Sequence, residues 1–118
     1  MRKQQPRVYN DGVCYIVEDQ TTPSSFAAKR TGQSAYDYRA IFRLMFAEMS
    51  IREQDLEFAE ANSRTLNRKI KTPRVQGWNS THKIIIENTL YDIVNADIDR
   101  AKSEIYFYLE EVRQLVIE

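Results

Sequence analysis

Few residues of this sequence have chemically versatile side chains, and they lack the partners that catalysis or metal binding requires. His82 is the only histidine and Cys14 the only cysteine. A single histidine at the predicted start of a strand gives neither a histidine-based catalytic triad nor a two-histidine metal site, and one cysteine gives no thiolate metal site. The three glycines form no phosphate-binding motif. We therefore expect no enzymatic activity, no metal and no cofactor.

Two pairs of carboxylates come closest to a chemical site. Asp97 and Asp99 resemble half of a calcium-binding loop, but the glycine and the terminal glutamate at the required spacing are missing. Glu110 and Glu111 are adjacent on a predicted strand, so their side chains point to opposite faces and cannot share a proton. We interpret the first pair as part of a polar turn and the second as ordinary strand residues.

The charges are balanced overall but unevenly distributed. The chain has 17 basic and 17 acidic residues, which does not indicate nucleic-acid or membrane binding. Residues 64–74 contain five basic residues and no acidic one, whereas residues 92–118 contain seven acidic and three basic residues. The two segments could pair between copies of the chain; the alternative is that both are solvated strand faces. The candidate interface residues are Arg64, Arg68, Lys69, Lys71, Glu104, Glu110 and Glu111.

No segment is typical of export or of a membrane span. Residues 1–6 are charged and no apolar stretch follows them, so we expect no signal peptide. The longest apolar runs, such as residues 84–86, have only a few residues and predict no transmembrane helix. The single cysteine excludes an intramolecular disulfide and suits a reducing cytoplasm.

Alternating apolar and polar residues predict a mainly β protein. Asn10-Asp11-Gly12 predicts a tight hairpin between Val8-Tyr9 and a strand at residues 13–17. Further strands are predicted at residues 36–49, 65–72, 82–87, 90–95 and 104–112, with a tight link at residues 88–89 and a polar turn at residues 97–101. One face of the strand at residues 36–49 carries Tyr36, Tyr38, Ala40, Phe42, Leu44 and Phe46. We expect a single domain, residues 1–118, folded as a small antiparallel β-barrel or sandwich.

One short helix interrupts the strands, and its start signal lies in the middle of the chain. Ser50 followed by Glu53 matches a capping box, in which each side chain satisfies the backbone N–H of the other residue. Ile51, Phe58 and Ala59 recur at helical spacing and predict one apolar face over residues 51–61. Asn62 is suited to a left-handed residue at the end of the helix.

A long loop at residues 18–35 is the segment that the predicted core does not explain. It is polar, rich in small residues and interrupted by Pro23 and Gly32. Loops of this length without secondary structure are uncommon in compact domains and are usually functional or disordered. We expect a flexible loop in the isolated subunit, because its composition cannot bury enough apolar surface except at Phe26.

Binding of a single-stranded nucleic acid to a β-barrel is one alternative. Arg68 shares a face of its strand with Leu66 and Ile70, and Lys69 shares the other face with Lys71. An oligonucleotide-binding barrel would combine such a basic groove with exposed, stacking aromatic residues. The aromatic residues concentrate in residues 36–46 and 106–108 and are equally consistent with a core.

Three blocks of the sequence resemble the head-closure proteins, also called head–tail connectors or stoppers, of long-tailed bacteriophages. The first block, residues 46–61, is a strand running into a short helix with a Ser-x-Arg-Glu core. The second is residues 64–72. The third comprises residues 82–86, 90–93, 97–100 and 104–112. The basic N-terminal segment with its Asp-Gly turn departs from the commoner pattern, in which a strand opens the chain.

The resemblance implies a ring of twelve copies at the phage neck, below the portal and its adaptor. Such a ring retains packaged double-stranded DNA in the capsid and docks the tail, so the expected partners are further copies of the chain, a portal-side adaptor, tail-terminator or tail-tube proteins, and DNA in the channel. The expected location is the virion, preceded by the host cytoplasm during assembly, with no membrane.

In the family a long loop between the early strands closes the channel. By the resemblance, residues 18–35 occupy the position of that loop, and the candidate gating residues are Phe26, Lys29, Arg30 and Gly32. A tail-completion or adaptor protein of the same neck is a further alternative.

Overall fold

The computed structural model describes residues 9–20 and 37–116, and within them the chain forms six strands and one short helix. The mainly β fold class predicted from the sequence is confirmed. The elements, in chain order, are β1 (Gly12–Asp19), β2 (Tyr38–Glu48), α1 (Glu53–Ala61), β3 (Arg68–Pro73), β4 (Lys83–Ile86), β5 (Thr89–Asp99) and β6 (Glu104–Gln114).

The six strands form a closed antiparallel barrel in the order β1-β2-β3-β6-β5-β4. Closure leaves no strand at a free edge of the sheet, although β2 pairs with β3 only at Ala47 and Glu48. It also places β1 and β6 three positions apart in a ring of six strands, on opposite sides of the barrel. The outer faces of these two strands therefore point in opposite directions.

The barrel interior is filled by alternate residues of every strand, as the period of two requires. The predicted apolar face of β2 supplies Leu44 and Phe46, both buried. Ile41 of β2 forms a bulge, since Phe42 pairs with Ile16 and Ala40 with Val17. The whole interior cluster comprises Cys14, Ile16, Leu44, Phe46, Ile70, Ile84, Ile86, Tyr91, Ile93, Ile105, Phe107 and Leu109. Trp78, in the loop before β4, packs edge-on against Phe107 with 5.1 Å between ring centroids.

The predicted Asp-Gly hairpin is wrong. Gly12 begins β1 and pairs with Phe46 of β2, and the Asp11 N–H donates to the Phe46 carbonyl at 3.0 Å. Gly12 has φ +147°, and a Cβ at this position would lie 3.0 Å from the Phe46 ring, so the glycine permits a close approach rather than a turn. Tyr9 lies outside any strand, and Val8 is outside the described residues.

The helix exists, but its N-cap lies two residues after the predicted one. The Met49 N–H still pairs with the Lys69 carbonyl at 2.9 Å, so sheet pairing extends one residue past β2 before the chain turns into the helix. Arg52 is the N-cap residue, and its N–H donates to the Asp55 carboxylate at 2.9 Å. The box is therefore built on Asp55 rather than on Glu53.

The buried side of α1 also differs in part from the prediction. Ala59 is buried and Ile51 packs beside it, as expected, but Phe58 is 48 % exposed. Asp55 takes the buried position one turn before Ala59. The left-handed residue after the helix is Ser63, with φ 56°, rather than Asn62.

The connections fix where the chain reverses. The predicted tight link exists, but it lies one residue earlier than predicted, at Glu87 and Asn88, because Thr89 already belongs to β5. Both turn residues have positive φ, as a type I′ turn requires. The predicted turn at residues 97–101 lies later, at residues 100–103, because β5 continues to Asp99.

The predicted loop at residues 18–35 also shifts, because Glu18 and Asp19 belong to β1 and the connection to β2 spans residues 20–37. Most of it, residues 21–36, lies outside the described residues, as does the prediction that it is flexible.

Candidate functional site: a groove between the helix and the β5–β6 hairpin

A concave surface lies between the start of α1 and the outer faces of β3, β5 and β6. It consists of a cavity of about 760 Å³ and a smaller one of about 180 Å³ that share Arg52, Asp97 and Tyr108 in their walls. We call this surface the groove. Its walls are formed by Met49, Ser50, Arg52, Asp55, Phe58, Ala59, Leu66, Lys69, Val94, Asn95, Asp97, Ile98, Asp99, Arg100, Tyr106 and Tyr108.

A buried ion pair forms the floor of the groove. The Lys69 Nζ lies 3.0 Å from the Asp55 Oδ2, and both side chains are less than a tenth exposed. The same ammonium lies 5.0 Å from the Tyr108 ring centroid and 5.7 Å from that of Tyr106, within the range of cation–π attraction. The period of two explains this arrangement, because Lys69 pairs with Tyr108 across β3 and β6 and all three side chains point outward.

Asp55 joins the helix to the barrel. Burial raises the pKa of its carboxyl, but hydrogen bonds from the Arg52 N–H, the Lys69 ammonium and the Arg52 guanidinium outweigh burial and lower the pKa below its ordinary value. The carboxylate thus caps the helix, pairs with β3 and faces an Arg52 nitrogen at 3.5 Å. The Asp55 carboxylate therefore fixes the position of the helix on β3, and the shape of the groove depends on it.

The β5 wall of the groove carries carboxylates with no cationic partner among the described residues. The Tyr108 hydroxyl donates to the Asp97 Oδ2 at 2.8 Å, and burial together with this carboxylate raises the pKa of the phenol. Among the described residues, Asp99 accepts one hydrogen bond, from the Lys102 N–H at 3.1 Å. Ile98, between them in the sequence, pairs with Ile105 of the core, so its side chain leaves β5 on the face opposite those of Asp97 and Asp99. Phe58, on the helix wall, is 48 % exposed.

The helix adds negative charge to this side of the molecule. Exposed Glu53, Glu57 and Glu60 follow its outer surface, and no basic residue stands in its last turn. Counting the groove and the helix together, six carboxylates face three cations: Glu53, Asp55, Glu57, Glu60, Asp97 and Asp99 against Arg52, Lys69 and Arg100. The groove therefore lies in an acidic surface and carries an exposed apolar residue, Phe58, on its helix side.

The structure pairs most of the candidate interface residues within one chain. Arg64 lies 2.8 Å from Glu110 and 3.6 Å from Asp92, and Lys71 lies 3.6 Å from Glu104. The Thr65 N–H donates to Glu110, and this bond, with Arg64, lowers the pKa of the Glu110 carboxyl against the effect of burial.

Arg68 and Lys69 also have ion-pair partners within the chain. Of the seven candidate interface residues, Glu111 alone has an exposed side chain and no ion-pair partner among the described residues. The Arg68 guanidinium is paired with Glu48, donates to the Tyr91 hydroxyl at 3.2 Å and lies over the Phe46 ring. β3 and β6 are neighbouring strands, so the basic and acidic segments that the sequence suggested would meet between subunits already meet inside one. Lys69 is 5 % exposed, which rules it out as an accessible rim charge.

The remaining candidate residues have simple structural surroundings or fall outside the described part. The His82 Nδ1 accepts the Asn79 N–H at 3.0 Å within the loop before β4. No group of three or more potential metal ligands occurs within residues 9–20 and 37–116. The candidate gating residues Phe26, Lys29, Arg30 and Gly32 lie outside the described residues.

The groove itself was missed by sequence reasoning. One signal for it was available, because Lys69 and the pair Tyr106 and Tyr108 each occupy the outward parity of their strands. The position of Asp55 against Lys69 and the two tyrosines could not be predicted, because it depends on how the helix docks on the barrel and no local pattern specifies that.

Comparison with known proteins adds no family assignment. No protein-family model matches the chain, and no curated protein is significantly similar to it. No helix within the described residues is long and apolar enough to cross a membrane.

Proposed function

We propose that this chain is a structural subunit of a bacteriophage neck, a ring-forming head-closure protein that retains packaged DNA and docks the tail. The proposal joins the sequence resemblance to one structural observation. β1 and β2 form a hairpin whose strands pair to their last residues, yet the chain between them is far longer than a hairpin needs.

The base of that connection is held closed by the barrel. Asp19 pairs with Tyr38, and beyond them the Gln20 N–H donates to the Asp37 carbonyl at 2.7 Å. Hairpin connections commonly have about two to five residues, whereas this one spans residues 20–37. Pairing of β1 with β2 needs only a short connection, so we attribute the extra length to a role outside the subunit.

In the proposed ring this connection reaches into the channel. Phe26, Lys29, Arg30 and Gly32 then lie at the channel, where the two cations face the phosphates of double-stranded DNA. A rigid barrel suits this role, because it holds both ends of the connection at one place while the neighbouring subunits and the portal-side adaptor fix the barrel. Tail-terminator or tail-tube proteins occupy the other side of the ring.

The proposed location is the virion, after assembly in the host cytoplasm. Cys14 is fully buried, and burial raises the pKa of its thiol to about 12. The thiol therefore stays protonated and unreactive in either compartment.

Single-strand nucleic-acid binding receives less support from the aromatic residues and charges of the described part of the chain. Phe42, Phe46 and Phe107 pack in the barrel interior, and the groove beside Tyr106 and Tyr108 lies in an acidic surface. A tail-completion or adaptor role in the same neck remains the closer alternative, because it would use the same barrel at a neighbouring position.

Particles produced without this chain test the proposal. We expect capsids of full size that have lost their DNA and carry no tails, together with free tails, because both the closure and the docking surface are missing. Electron microscopy and the DNA content of purified particles measure this. Intact tailed particles with normal DNA content would contradict the proposal, and capsids that keep their DNA but lack tails would favour the tail-completion alternative.

A further inference from the structure

A second surface, on the opposite side of the barrel, carries a cation and two exposed apolar residues. Tyr15 of β1 is 37 % exposed and Met45 of β2 is 45 % exposed. Arg43, directly opposite Tyr15 in the register and two residues from Met45, is exposed. All three side chains point away from the core, since Cys14, Ile16, Leu44 and Phe46 occupy the inward positions. We call these three residues the β1–β2 patch.

We propose that the β1–β2 patch of one subunit docks into the groove of the next copy of this chain. The inference rests on the proposed function, because a ring requires contacts between copies, and it names the two surfaces that meet. Tyrosine, arginine and methionine are residue types enriched at protein interfaces.

Position favours a head-to-tail contact. The patch lies on β1 and β2, whereas the groove lies on β3, β6, β5 and α1. β1 is diametrically opposite β6, the central strand of the groove, while β2 is next to β3 at its edge. Two different surfaces on opposite sides of a subunit form a heterologous contact, which repeats around a ring when the rotation closes.

Charge favours the same pairing. The groove and helix side carries six carboxylates and three cations, and Asp97 and Asp99 have no cationic partner among the described residues. On the opposite side, β1 and β2 carry Glu18, Asp19 and Glu48 together with Arg39 and Arg43. Glu18 is paired with Arg39 and Glu48 with Arg68, whereas Arg43 forms no ion pair within the described residues. Arg43 therefore complements Asp97 and Asp99 of the β5 wall, while Tyr15 and Met45 complement the exposed Phe58 on the helix side of the groove. Two grooves facing one another would instead bring like charges together.

Site-directed cross-linking tests the contact in the purified full-length chain. Cysteines at Met45 and Phe58 in one chain should give a ladder of oligomers with a bismaleimide reagent, because each copy carries both halves of the contact. Met45→Cys alone and Phe58→Cys alone are the matched controls and should give no species beyond a dimer. Cys14 is fully buried and its thiol is protonated, so it should not react.

Charge reversal in the double-cysteine chain then tests whether Arg43 of one subunit contacts Asp99 of the next. Arg43→Glu should abolish the ladder, and adding Asp99→Arg should restore it, since the pair is re-formed with opposite signs. Glu111→Lys, an exposed reversal on β6 outside both surfaces, should leave the ladder unchanged. The fluorescence of Trp78, the only tryptophan, confirms that each variant keeps the packed barrel.

Absence of a ladder, or a ladder that Arg43→Glu does not affect, would overturn the inference. Suppose that the thiol of Phe58→Cys is protected in the monomer and that deleting residues 1–8 removes the protection. That result would also overturn the inference, because the groove would then bind the N-terminal segment of its own chain. These results are independent of the particle experiment: the contact can fail while particles lacking the chain still lose DNA, and it can hold in a protein with another role.

Discussion

Asp55→Ala should lower the free energy of unfolding by about 3–5 kcal/mol, because it leaves the Lys69 ammonium buried without its partner. The same substitution removes the acceptor of the Arg52 N–H at the start of α1, and loss of such a cap alone costs about 1 kcal/mol. Urea unfolding followed by the fluorescence of Trp78 measures the change.

Two comparisons separate this effect from a general sensitivity of the helix. Glu57→Ala removes an exposed carboxylate from the same helix and should change stability by less than about 0.5 kcal/mol. Asp55→Leu combined with Lys69→Met removes both charges and should recover much of the loss, since buried pairs are often replaceable by apolar residues of similar size. If Asp55→Ala were no more harmful than Glu57→Ala, the ion pair would not connect helix and barrel as described.

The pH dependence gives a signed test of the same pair. The pKa of Asp55 is lowered in the folded state, so its contribution is complete above the unfolded value, about 4, and is lost as the pH falls through the folded value. The difference in stability between the wild type and Asp55→Asn should therefore be constant near neutral pH and shrink on acidification. A difference that grew as the pH fell would contradict the lowered pKa.

Deletion of residues 21–31 should leave the barrel folded and yet cause most particles to lose their DNA. The deletion keeps Gln20, Asp37 and the five residues 32–36 between them, enough for an ordinary hairpin connection. The proposed gating residues Phe26, Lys29 and Arg30 are removed. Thermal unfolding of the subunit and DNA content of the particles are the two measurements.

A variant of unchanged length separates the effect of the length of the connection from the effect of its side chains. Replacing residues 21–31 by glycine and serine preserves the span of the connection but removes its aromatic and basic side chains. We expect partial leakage from this variant and complete leakage from the deletion. Normal DNA retention in the deletion variant would remove the gating role, whereas loss of folding would show that the connection supports the barrel.

The fold could largely be predicted because local patterns and tertiary structure agree along most strands. Alternation in β2 marks Leu44 and Phe46 as inward residues, and this holds because one face packs in the barrel and the other does not. The turn at Glu87 and Asn88 is likewise encoded locally. The order of strand pairing depends on closure of the barrel, and no single strand contains that information.

The errors have a common cause, which is that tertiary contacts outweighed strong local signals. Ser50 and Glu53 match a capping box, but the sheet pairing extends to Met49 and the N-cap is Arg52, with Asp55 completing the box. Asp11-Gly12 matches a hairpin turn, but Gly12 is the first residue of β1, which pairs with β2 and β4. The basic and acidic segments suggested an intersubunit contact because the sequence does not reveal that β3 and β6 are neighbours.

Electron cryomicroscopy of the neck of purified particles tests the central claim most directly. We predict a closed ring of copies of this barrel between the portal-side adaptor and the first tail ring, with residues 20–37 of each copy directed toward the channel. Absence of the barrel from that position, or its presence only within the tail, would contradict the account.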